Sequence, residues 1–293
     1  MATWHLRVSV PLRYYSWTYG ALTDSIQQGG RTLYSWKNDR QQDGHTLFIL
    51  PKDSFEYSEQ QRKKTVIHYY SMVHDTIFMK SLQRDLANSF DYYEGLLGEY
   101  PYRDLYVIGF SDTTCGGAYA FGNSIAFGPY MVDVYNNGYN WPTHEIAHLW
   151  WGWSLNTSAL KKGRRFIEES FTEYLRLMFV ENEYGPDSFL KEVAEDSSEY
   201  YNKFMNTGKD NALIDEMTAS RLIYVKGTYI VHMMRKEVGD EVWTKLLEYI
   251  YTNYRGKKFS YADFKDAIAK IVKNKKSIAK IDRLITSVNI SVN

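Results

Sequence analysis

Several things are scarce in this 293-residue chain. It has one cysteine, Cys115, which excludes an internal disulfide framework and a thiolate zinc cluster. It has no net charge, with 35 basic and 35 acidic side chains. A surface built for nucleic acid normally carries a basic excess, so the expected partners do not include nucleic acid. No run of about 18 apolar residues occurs, so no membrane-spanning helix is expected. The opening residues Met1 to Arg7 lack an apolar stretch of signal-peptide length, and with a single cysteine this favours a cytoplasmic location. The chain opens almost directly in a strand pattern, as a piece of a larger multidomain chain would, and a monomer is expected. What is plentiful is ordinary core material: 44 % hydrophobic residues, and 26 tyrosines and 8 tryptophans.

The first half reads as β. Leu6, Val8 and Val10 alternate with polar neighbours before Pro11, and Thr32 to Trp36 and Thr46 to Leu50 are further short runs. Another strand is expected from Lys64 to Tyr70. Phe78, Leu82, Leu86, Phe90 and Leu97 then form one helical stripe, with Gly98 and Pro101 beyond it. Leu105 to Phe110 reads as a buried strand, and a glycine-rich stretch leads into Ser124 to Phe127. Helices are expected over 142–154, 164–184, 187–205, 218–237, 240–254 and 260–287, the last one broken. Strands first and helices later indicate an α+β fold rather than a βαβ alternation.

One segment carries chemistry: Trp141-Pro142-Thr143-His144-Glu145-Ile146-Ala147-His148-Leu149-Trp150-Trp151-Gly152. On a helix, His144 and His148 share a face and can hold one cation, and neutral imidazoles suit Zn²⁺. Glu145, one residue along, can reach a water at the metal without ligating. A catalytic zinc also needs a third protein ligand, and Phe166-Ile167-Glu168-Glu169-Ser170-Phe171-Thr172-Glu173-Tyr174 offers carboxylates on a following helix.

Together these two segments resemble the gluzincin metallopeptidases of the aminopeptidase N family. That family reads His-Glu-x-x-His-x-Trp-Phe-Gly-Asn and then Trp-Leu-Asn-Glu-Gly-Phe-Ala-x-Tyr. The resemblance puts Glu169 on the third zinc ligand, because Phe171 and Tyr174 then meet the family's Phe and Tyr. The spacing from His148 is two residues longer than in the family, which implies an insertion near Leu160 to Arg165. Tyr224-Val225-Lys226-Gly227 resembles the family's Tyr-x-Lys-Gly, whose tyrosine hydroxyl bonds the developing oxyanion. The resemblance implies a thermolysin-like catalytic domain: a mixed sheet followed by a helical lobe, behind the remnant of an antiparallel β-domain. The expected divisions are 1–52, 53–255 and 256–293. It further implies one zinc ion, a peptide substrate and catalysis by Glu145 and Tyr224, with Glu173 and Glu168 as supporting carboxylates.

Two departures matter. The family's Gly-x-Met-Glu-Asn loop, whose glutamate grips the substrate's free amine, aligns with Gly116 to Gly122. Tyr119 then takes the glutamate's place and Ala120 the asparagine's. Trp153 stands where the family has asparagine. Gly117, Ala118, Tyr119 and Ala120 are the expected substrate-binding residues, and they also resemble the edge strand of thermolysin-like endopeptidases. Altered recognition of the N-terminus is the expectation. Endopeptidase activity, or a non-catalytic peptide-binding module, is the alternative. Cys115 and His232 read as packed structural residues, and Lys270 to Lys280 as a solvated face.

Overall fold

The computed structural model describes residues 2–42, 46–112, 115–157, 162–215 and 218–290. The structure is α+β, with an antiparallel β region first and a helical lobe later. Two compact units are present, one of residues 1–91 and 99–149, the other of 92–98 and 150–293.

The first unit holds all the strands found among the described residues. β1 (Ala2–Pro11), β4 (Arg31–Gln42) and β3 (Ala21–Gln28) form an antiparallel sheet in the order β1-β4-β3. β2 (Tyr14–Thr18) pairs with β5 (Leu47–Pro51). A third sheet has the order β6-β7-β8-β10-β9, from Glu56–Arg62, Thr65–Ser71, Asp104–Gly109, Ser124–Phe127 and Ala118–Phe121. Trp17, Trp36 and Leu50 of the early strands share one hydrophobic cluster with Tyr106, Ile108 and Ala126 of the third sheet.

The third sheet is mixed, as expected, and adds one βαβ crossover within the strands-then-helices order. β7 and β8 run parallel and are joined by α1 (Thr76–Leu97), a βαβ crossover. The reason is burial. β8 is buried at five consecutive positions and β10 at all four, as strands covered on both faces are. β3 and β6 are mostly exposed and polar and carry no alternating apolar signal, so they do not stand out in the sequence.

β9 is the edge strand at one end of this sheet, paired in the order Ala118↔Phe127, Tyr119↔Ala126 and Ala120↔Ile125. The β9–β10 turn is tight. Gly122 has φ of +60°, and a Cβ there would come within 2.5 Å of the Tyr19 ring. Its neighbour Asn123 is buried and bonds Asp104 O (2.9 Å) and Gly20 O (3.2 Å), while accepting from Gly20 N (2.9 Å). The hairpin is thereby fixed to the rest of the sheet.

α2 (Tyr130–Asn136) and α3 (Trp141–Trp150) follow. α3 is buried at every position. It ends before the expected residue 154 because Gly152, at φ of +128°, leaves the helical region. The second unit contains α4 (Phe171–Tyr184), α5 (Pro186–Tyr200), α6 (Ser220–Val238), α7 (Asp240–Tyr254), α8 (Tyr261–Ile271) and α9 (Lys275–Thr286). Among the described residues no helix is long and apolar enough to cross a membrane. Leu160 and Lys161, in the inferred insertion, lie outside the described residues.

Candidate metal centre

The start of α3 is anchored by its own tryptophan. Trp141 Nε1 donates to Met131 O at 2.8 Å, and its ring lies 5.2 Å from Phe127. Pro142 occupies the first turn, where the missing N–H costs nothing. Thr143 Oγ1 donates to Asn140 O, and the Asn140 amide donates to Asp85, which also accepts from Tyr135. This clamp sets the helix on which His144 and His148 sit one turn apart, rings 4.7 Å from centroid to centroid and edge to face. Both imidazoles and Glu145 are buried, at 4, 9 and 8 % exposure.

The tryptophan pair ending α3 is structural. Trp150 Nε1 donates to Gly98 O and Trp151 Nε1 to Ile167 O, both at 2.8 Å. The second bond holds a π-helical turn, Phe166–Ser170, that runs directly into α4 and carries Glu168 and Glu169. Single π-turns inside helices recur at functional sites. Glu169 accepts a 2.7 Å hydrogen bond from the Tyr224 hydroxyl of α6. Glu168 instead pairs with Arg164 at 2.9 Å.

Close packing explains Tyr-x-Lys-Gly. Ser170 Oγ donates to Ile223 O at 2.7 Å, and a Cβ on Gly227 would lie 1.9 Å from that Oγ. Only glycine lets α6 approach the π-turn so closely. Gly227→Ala is therefore expected to destabilise the protein by roughly 2–3 kcal/mol, as overpacking does, seen as a lower midpoint in urea. A midpoint equal to wild type would contradict the contact.

Among the described residues, one trio of side chains offers ligand atoms mutually within 4.8 Å: His144, His148 and Glu169. Two imidazoles and one carboxylate are the donor set of an open catalytic zinc site, so the residues fit that ion. His232 is not in the trio. Its Nδ1 faces the Tyr174 hydroxyl at 3.1 Å, and burial pushes its pKa down to about 4, leaving it neutral. Cys115 is buried, its Sγ 3.3 Å from Gly117 O, and burial raises its thiol pKa. Of the expected substrate-binding residues, Gly117 accepts from Gly128 N at 2.9 Å, and Ala118, Tyr119 and Ala120 lie in β9, with Tyr119 56 % exposed.

Residues 87–287 match the peptidase family M1 domain. The chain belongs to peptidase family M1. Among curated proteins, none matches it in sequence. The solved structures it is similar to include the M1 zinc metallopeptidase of Deinococcus radiodurans, at 14 % identity and a TM-score of 0.75, over 99 % of this chain and 64 % of that one. A mutant of that protein bound to a Tyr-Ser-Ala substrate aligns at 15 % identity and 0.76, over 99 % and 65 %. This M1 chain thus spans about two thirds of the length of those proteins. The fold they share accounts for the mixed sheet and helical lobe, and the family assigns zinc as the ion for the trio.

A carboxylate network lies beyond Glu169 on the M1 helices. Glu173 is buried and paired with Arg176 at 2.8 Å, and Arg176 also holds Glu192 at 2.6 Å. Beside them, burial and the Glu173 charge push Asp196 up to about 8. A raised folded-state pKa gives stability that is complete below the unfolded value and is lost as pH rises through the folded one. Asp196→Asn should therefore gain stability over wild type steadily from about pH 4 to pH 8 and then level off. Thermal melts of both proteins across that range check this, and a pH-independent difference would refute it.

Proposed function

We propose that this protein hydrolyses peptide bonds at a zinc centre held by His144, His148 and Glu169, releasing residues from a free N-terminus with altered amine recognition. The observation that carries the reading is the 2.7 Å bond from the Tyr224 hydroxyl to Glu169, because it sets an oxyanion donor against the third ligand of the trio. When bound, zinc supplies Lewis acidity, polarising a carbonyl and lowering the pKa of water towards neutrality.

The chain's own groups do the rest. The Glu145 carboxylate accepts the proton that the attacking water sheds and passes it to the amide nitrogen that leaves. The Tyr224 hydroxyl donates to the carbonyl oxygen as it gains charge, a contact that strengthens towards the transition state. Glu173, one turn after Glu169 and held by Arg176, is the carboxylate placed to orient a ligating imidazole, with Glu168 in a lesser supporting role. An extended substrate adds to the edge of β9 at Gly117 to Ala120, pairing backbone to backbone.

Tyr119 replaces the carboxylate that grips the amine in related peptidases. A phenol ring offers an ammonium only a cation–π contact, worth about 0.5–1 kcal/mol at an exposed site. Weak selection for a free amine is expected. Assaying an aminoacyl substrate beside an N-acetylated peptide tests this: both should be cleaved, and Tyr119→Glu should raise kcat/KM on the free amine about 10-fold. Cleavage of the acetylated peptide alone would make the protein an endopeptidase, and zinc binding without cleavage of either would make it a binding module.

A further inference from the structure

Helix α6 is pinned on two sides. One is the Gly227 contact with Ser170 described above. The other is Lys226, whose side chain turns away from Tyr224 and is fully buried, as is its partner Asp210 (0 and 1 % exposure). The ammonium donates to Asp210 Oδ1 at 2.8 Å, Asn211 O at 2.7 Å and Ser287 O at 3.0 Å. Those three bonds use all its protons. The other Asp210 oxygen accepts from the Tyr200 hydroxyl at 2.8 Å and from Asn289 N at 2.5 Å, and the Tyr200 oxygen accepts from Ile290 N at 3.0 Å. The hub is thus closed by the main chain of residues 287–290. It is more than a surface ion pair, since every polar atom in it has a partner and it ties together three segments distant in sequence.

An ammonium with three fixed acceptors has one place to be. Lys226 and Tyr224 are two residues apart on a rigid helix, so the position of one sets the rotation and depth of the other. Displacements of about 1 Å at a catalytic group cost about 10²-fold in rate. We propose that Lys226 is a positioning residue. Its buried pair with Asp210, closed by the segment Ser287–Ile290, holds the Tyr224 hydroxyl against Glu169. The proposal rests on the role given to Tyr224 above.

The test is a double-mutant cycle in the zinc-loaded protein with an aminoacyl substrate. Lys226→Met should lower kcat per bound zinc about 10²-fold while KM moves less than roughly three-fold. Asp210→Asn and removal of residues 287–293 should lower it in the same direction. In a Tyr224→Phe background, Lys226→Met should cost almost nothing more, since the hydroxyl it positions is gone. A crystal structure of Lys226→Met should show the hydroxyl beyond hydrogen-bond reach of Glu169. An unchanged kcat per zinc, or the full loss persisting in the Tyr224→Phe background, would overturn the proposal. If the wild type cleaves no peptide, the functional reading fails and the crystal structure still decides: a retained 2.7 Å contact overturns the positioning role. Should Lys226→Met not fold, Lys226→Arg and Asp210→Asn carry the same measurements.

Discussion

Glu145→Gln is expected to bind zinc as tightly as the wild type and to lose about 10³-fold in kcat, within the range that general acid–base catalysis supplies. The side chain is 8 % exposed in a helix buried along its whole length. The amide keeps the size and shape of the carboxylate, so the packing of α3 does not change. It has no site for the proton shed by the attacking water, so the effect falls on turnover and not on KM. Helix α3 is anchored by Trp141 and the Asp85 clamp. Circular dichroism and zinc content equal to wild type, with activity lost, is the expected result. An active Glu145→Gln protein would remove the proton-transfer role.

The second large effect is expected at the third ligand. Glu169→Ala should weaken zinc binding by at least about 100-fold, because supporting residues alone are worth 10–100-fold and a ligand is worth more. Glu168→Ala should leave the affinity unchanged, since that carboxylate is paired with Arg164 at 2.9 Å. The two variants together decide the register of the segment. Competition against a zinc-sensitive dye gives both affinities. Tight binding by Glu169→Ala together with weak binding by Glu168→Ala would reverse the assignment of the ligand.

Much of this centre is legible in the sequence because its signals are local. His-Glu-x-x-His puts two imidazoles on one helical face whatever the surroundings, and Trp141-Pro142 marks the start of that helix. The choice of Glu169 over Glu168 comes from the family resemblance and not from periodicity, since adjacent carboxylates on an amphipathic helix look alike. The hydrogen bond from Tyr224 and the pairing of Glu168 with Arg164 now separate them.

What is not legible depends on contacts distant in sequence. The π-turn leaves the residue pattern of a helix unbroken, so 164–184 reads as continuous. The same holds for 187–205, where α5 gives way to a π-turn over Tyr201–Met205. α2 is only seven residues long, with Tyr130 exposed and Met131 buried, too short for a periodic signal. Lys226 carries a motif, but its partners Asp210 and Ser287 are 16 and 61 residues away. A buried lysine in a sequence looks like any other. The glycine after it has a clear reason only once Ser170 is seen against it.

The most direct measurement is anomalous scattering at the zinc edge from crystals of the zinc-loaded protein. One peak should lie within about 2.2 Å of a nitrogen of His144, a nitrogen of His148 and a carboxylate oxygen of Glu169. A peak that excludes any of the three side chains, or zinc bound only elsewhere, would contradict this centre.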